Sequence, residues 1–179
     1  MTTTDERPAP TPPAEAAAAI DAELGRLQDL LGELSDVDLH RAHRDGGWTV
    51  AQVVSHINVC TLVWLGDVAR LRADPELRFF FREEVGHDLT GYPPPSVELA
   101  VAQLTSTRRS LRTALPAIEP ELLERVVEIP DLGTLTLGEW TPLITGHLSS
   151  HVPQALTVLV DRGVISQERA DAVTSGGAA

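Results

Sequence analysis

Apolar residues return at helical spacing in four long stretches of the chain. In the first, from about Ala14 to Leu34, they are Ile20, Leu24, Leu27, Leu31 and Leu34, with Ser35-Asp36 as the stop. The second follows Gly46-Gly47-Trp48, takes Thr49 as N-cap and runs to about Ala73. Its stripe is Val53, Ile57, Cys60, Trp64, Val68 and Leu71, and Asp74-Pro75 ends it. The third starts at Ser96, after Tyr92-Pro-Pro-Pro95, and carries Val97, Val101, Leu104, Leu111 and Leu115 up to Pro116 and Pro120. The fourth runs to about Asp161 and has two rival starts. Thr136-Leu-Gly-Glu139 reads as a capping box, whereas Thr141 as cap would place Pro142 at the first helical position.

The pattern predicts an all-α helical bundle with short additions. A fifth helix is expected at Ser166 to Val173, within a C-terminal segment 166–179 that ends in a flexible tail. Residues 124–138 alternate apolar and polar around Asp131-Leu-Gly133, which predicts a small hairpin or extended excursion before the last long helix. Residues 74–95 form a second long connection. It holds Phe79, Phe80 and Phe81, as expected of a flap over a pocket or a loop pinned to the bundle. Residues 1–13 carry four prolines and almost nothing to bury, and read as a disordered tail rather than a signal peptide.

The 179 residues suit one domain, and 42% apolar with 22% charged residues is ordinary for a globular protein. The net charge of −12 repels phosphate backbones and anionic lipids, so no nucleic acid and no membrane partner is expected. The one candidate basic patch, Arg108, Arg109 and Arg112, has no flanking aromatics. No apolar run approaches the ~18 residues of a membrane-spanning helix. Cys60 is the only cysteine, which excludes an internal disulfide and suits a reducing, cytoplasmic setting.

Candidate chemistry concentrates on the histidines. His147 and His151 stand four residues apart, about 40° apart around a helix, and so point the same way one turn apart. Trp140, Leu143, Ile144, Gln154 and Val158 share that side, so both histidines are expected to face the core. Two imidazoles at this spacing can clip one ion, and neutral imidazole suits Zn, Ni, Fe or Co. The spacing is also met without metal, and by itself leaves both readings open. His56 lies on the flank of the second helix's stripe; a third imidazole from a facing helix would leave a coordination position open, the catalytic pattern.

Two stretches carry a resemblance. Gly47-Trp48-Thr49-Val50-Ala51-Gln52-Val53-Val54-Ser55-His56-Ile57 resembles the opening of helix two in the DinB/YfiT-like family of metalloenzymes. Thr136-Leu-Gly-Glu-Trp140 through Gly146-His147-Leu-Ser-Ser-His151-Val-Pro-Gln154 resembles that family's last helix, with its HxxxH and a glutamine three residues on. The gap of about ninety residues between the two also fits. The family includes mycothiol-dependent maleylpyruvate isomerases and bacillithiol transferases. The resemblance implies a four-helix bundle with long crossover connections over residues 14–165, and one divalent metal ion held by His56, His147 and His151. Pro153, inside the HxxxH helix, departs from the pattern by removing an N–H whose carbonyl partner would be that of Ser149.

Other polar residues draw weaker readings. His40 and His43 read as solvated loop residues. His87, next to Asp88, is a candidate pocket acid or base, and Gln154 a candidate either for holding a substrate or a water on the metal or for hydrogen bonding in the core. Cys60 reads as a small buried hydrophobe that could approach the metal, and Trp48 and Trp140 as packing anchors. Glu83, Glu84, Glu121 and Glu124 read as solvated surface. No G-x-S-x-G or phosphate loop is present.

What the resemblance implies for function is a transferase or isomerase using a low-molecular-weight thiol such as mycothiol as a metal-bound thiolate, acting on a small-molecule substrate. A hydrolase using a metal-bound hydroxide, and a non-catalytic binding or stress protein on the same fold, are the alternatives. A homodimer is left open.

Overall fold

A computed structural model describes residues 11–78, 92–129 and 133–176. Its elements in chain order are α1 (Pro13–Leu31), α2 (Asp36–Leu39), α3 (Val50–Ala73), α4 (Val97–Ala114), α5 (Pro120–Leu123), β1 (Val126–Ile129), β2 (Gly133–Thr136), α6 (Leu137–Asp161) and α7 (Gln167–Ser175). The four long helices are those expected. The caps at Thr49, Ser96 and Thr136 fall where the sequence places them. Thr49, Ser96 and Thr136 each accept a backbone N–H three residues on, and Gln52 and Glu139 return the bond to complete capping boxes. Such caps contribute about 1 kcal/mol each. The rival start of α6 at Thr141 is therefore set aside, and Pro142 lies inside the helix.

The first helix ends at Leu31, three residues before Leu34, with Gly32 as its C-cap, and Leu34 packs on the core from a turn. The one-turn helix α2 has no counterpart in the sequence expectations. It is nucleated by a capping box between Ser35 and Asp38, too short to show a periodicity. The predicted hairpin is present: β1 and β2 pair antiparallel with Val127 opposite Leu135, and Gly133 takes φ +80°, which a side chain disfavours. Of the predicted turn, residues 131 and 132 lie outside the described residues. So do residues 1–10 of the expected tail, residues 177–179, and residues 79–91 of the long connection, with Phe79, Phe80, Phe81, Glu83, Glu84 and His87.

Around the bundle α1 packs on α4 and α6, and α3 packs on the same two helices. The successive long helices α1 and α3 therefore sit on a diagonal, and α3 lies beside α6. The core between them is almost wholly aliphatic, with Ile20, Leu24, Leu27, Ile57, Leu71, Leu104, Leu111 and Leu159 fully enclosed. Arg108 folds back from α4 onto α1. Its guanidinium reaches both carboxylate oxygens of Asp21, at 2.9 and 3.3 Å, and Gln28 at 3.1 Å, and Arg112 lies 3.9 Å from the same Asp21. Two of the three arginines of the candidate basic patch are thus joined to α1's acid. Among the described residues no helix is long and apolar enough to cross a membrane.

Candidate metal centre

The adjacency of α3 and α6 brings three histidines together. The ligating nitrogens of His56, His147 and His151 all lie within 4.8 Å of one another, and they are the one such group among the described residues. Nε2 of His147 is 3.2 Å from Nε2 of His56 and 3.2 Å from Nε2 of His151. The rings meet edge to face, with centroids 4.5 Å apart for His56 and His151 and 4.6 Å apart for His147 and His151.

Local chain geometry sets this up. Gly46 and Gly47 take φ of +92° and +102°, conformations open to glycine, and turn the chain into the Thr49 cap. His56 follows two turns into α3 and is buried at 2% exposure. His151 is buried at 8%. His147 is exposed, which corrects the expectation that both α6 histidines face the core. The 40° offset between them is enough to place one inside the α3–α6 seam and the other at its rim. Leu143 and Gln154, assigned to the same inward side, are exposed too.

Burial pushes the pKa of His147 below its ordinary value, and the neighbouring His151 adds to the shift. Burial also lowers that of His151, partly offset by its hydrogen bond with Gln154. Both rings are thereby held neutral at pH 7, the form that ligates a metal.

The surroundings are partly as expected. Trp48 lies half-buried against the site, its ring centroid 4.7 Å from that of His56 and 6.1 Å from that of His151. It is more than a packing anchor, because it walls the cluster. Trp140 is buried in the core. Cys60 is buried, with Sγ 3.4 Å from Nε2 of His56, and desolvation pushes its thiol up to about 11. It touches a histidine of the cluster without joining the group of ligating atoms. Gln154 Oε1 lies 2.7 Å from Nδ1 of His151.

His40 is exposed, as expected, and His43 is half-buried, and each also has a polar partner. His40 Nε2 is 3.3 Å from the Pro95 carbonyl, and His43 Nδ1 accepts the Asp45 N–H at 3.2 Å. His43 also lines a cavity of about 350 Å³ between α6 and α7, whose lining includes none of the three histidines of the cluster. Glu121 and Glu124 are exposed, as expected.

Three imidazoles thus converge from two adjacent helices of a four-helix bundle, and comparison with known proteins gives the family and the fold. The description of the DinB superfamily matches residues 3–155, and the chain belongs to that superfamily. No curated protein matches the sequence. Among solved structures, YfiT from Bacillus subtilis, described as a probable metal-dependent hydrolase with an unusual four-helix bundle topology, superposes with a TM-score of 0.63. It is 18% identical, over 90% of this chain and 91% of that one. At that identity the likeness speaks for the fold.

Proposed function

We propose that this protein is a metal-dependent enzyme in which His56, His147 and His151 hold one divalent ion through Nε2. The observation that carries the reading is the pair of 3.2 Å Nε2–Nε2 distances meeting at His147. A neutral imidazole nitrogen either donates or accepts. The single Nε2 of His147, with one hydrogen or one lone pair to offer, therefore cannot make full hydrogen bonds to both neighbours, and the two contacts compete. A shared cation removes the conflict, because all three nitrogens then offer lone pairs. The spacing fits as well: metal–nitrogen bonds of 2.0–2.1 Å separate neighbouring tetrahedral donors by about 3.3 Å. Held there, a divalent ion supplies Lewis acidity, depressing the pKa of whatever acid, water or thiol, enters the remaining position.

The chain's own residues do the rest. His56 and His151, buried, anchor the site to α3 and α6, while His147 at the rim leaves it open toward solvent. Trp48 covers the His56 and His151 rings on one flank and keeps water from them. The nucleophile we assign is a low-molecular-weight thiol transferred to, or assisting isomerisation of, a small electrophile. In support stands the resemblance of the two histidine-bearing stretches, Gly47–Ile57 and Thr136–Gln154, to a family that includes thiol-dependent isomerases and transferases. Hydrolysis is the second reading, favoured by the description of YfiT.

The test begins with metal-free, untagged protein titrated with Zn, Ni, Fe and Co. One ion per chain is expected, with melting raised by about 2.7 kcal/mol of added stability at a hundredfold excess over Kd. His147→Ala that still holds one ion per chain overturns the ligand set. The loaded protein is then offered electrophiles with and without thiols. Turnover that requires the thiol supports the first reading, and turnover in water alone the second.

A further inference from the structure

The outer face of α6 carries a contact that the three-histidine site does not itself require. Gln154 Oε1 lies 2.7 Å from Nδ1 of His151, one turn further along the same helix. An amide oxygen only accepts, so the hydrogen belongs to Nδ1. A neutral imidazole has one N–H, and with it on Nδ1 the lone pair of Nε2 is turned into the cluster, 3.2 Å from Nε2 of His147. Among the described residues Gln154 is the partner of Nδ1, and without it the form with hydrogen on Nε2 would aim an N–H at the point where the three nitrogens converge.

We propose that Gln154 is a positioning residue: it holds His151 in the Nδ1–H tautomer and in the ring orientation that presents Nε2 as a ligand. The inference rests on the three-histidine reading for its consequence, but not for its first step, since the tautomer is set in the metal-free protein. The i, i+3 offset within one helix makes the contact local, independent of how the bundle packs around it. Gln154 is exposed, so replacing it leaves the core untouched.

The experiment uses the full chain as wild type, Gln154→Leu and Gln154→Glu. Nitrogen-15 spectra of the imidazoles in metal-free protein at pH 8 read the tautomer directly. Wild type and Gln154→Glu, which keeps an oxygen acceptor, are expected to show His151 as Nδ1–H. Gln154→Leu is expected to show a mixture containing the Nε2–H form. Zn and Co affinities, measured by chelator competition, are expected to fall 10- to 100-fold in Gln154→Leu and to be retained in Gln154→Glu. An unchanged tautomer together with unchanged affinity in Gln154→Leu overturns the inference. If wild type binds no metal yet the tautomer shifts as expected, the metal reading fails while the positioning role of Gln154 holds.

Discussion

Gly25 lies in the middle of α1, where replacing glycine by alanine ordinarily stabilises a helix by about 1 kcal/mol. Here the opposite is expected. A methyl group added at Gly25 would sit 3.0 Å from Cζ and 3.0 Å from Nη2 of Arg108, whose guanidinium lies flat over the glycine. The end of an arginine can usually swing away, but this one is tied to both oxygens of Asp21 and to Gln28. The Arg108 and Asp21 side chains are only 23% and 18% exposed, so solvent screens the pair weakly. Hydrogen bonds to charged groups of this kind are worth roughly 1.5–3 kcal/mol. Losing that against a gain of about 1 kcal/mol leaves Gly25→Ala destabilised by about 0.5–2 kcal/mol. For a chain of this size the loss lowers Tm by about 1–8 °C. Urea denaturation is the assay, with Gly66→Ala on α3 as reference, because nothing lies within 4 Å of a side chain placed there. Gly66→Ala should stabilise, and so should Gly25→Ala in an Arg108→Ala background, where the clash is gone. A Gly25→Ala protein as stable as Gly66→Ala, or no change of sign between backgrounds, refutes the reasoning.

Two further outcomes follow from the site. The folded-state pKa values of His147 and His151 lie below the ordinary 6.5, so the unfolded chain takes up protons first as pH falls. Their contribution to stability is complete above pH 6.5 and is lost on acidification below it. Tm of the metal-free protein measured from pH 8 to pH 5 should decline, and the decline should shrink in His147→Gln/His151→Gln. Cys60, with its thiol raised to about 11, holds roughly one thiolate per thousand at pH 8. Ellman's reagent should label it at least about a hundredfold more slowly in the folded chain than in urea, and equal rates would show that the thiol is not buried as described.

Much of this protein is legible along the chain because its determinants are local. A 3.6-residue period marks the four long helices, and Thr49, Ser96, Thr136 and Ser166 announce their own helix starts through side-chain bonds that span only three residues. The His147 and His151 clip is legible for the same reason, being one turn of one helix. What only the tertiary structure decides is relational. Periodicity tells that a helix has an apolar face, but not which neighbour covers it. The placement of α3 beside α6, rather than across the diagonal, is what brings His56 within 3.2 Å of His147. The same packing leaves His147 at the rim while His151, 40° further round, is enclosed, and it turns Arg108 from a surface cation into the partner of Asp21. Angular position on a helix is written in the sequence. Its meaning, core or rim, ligand or surface, depends on residues about ninety positions away.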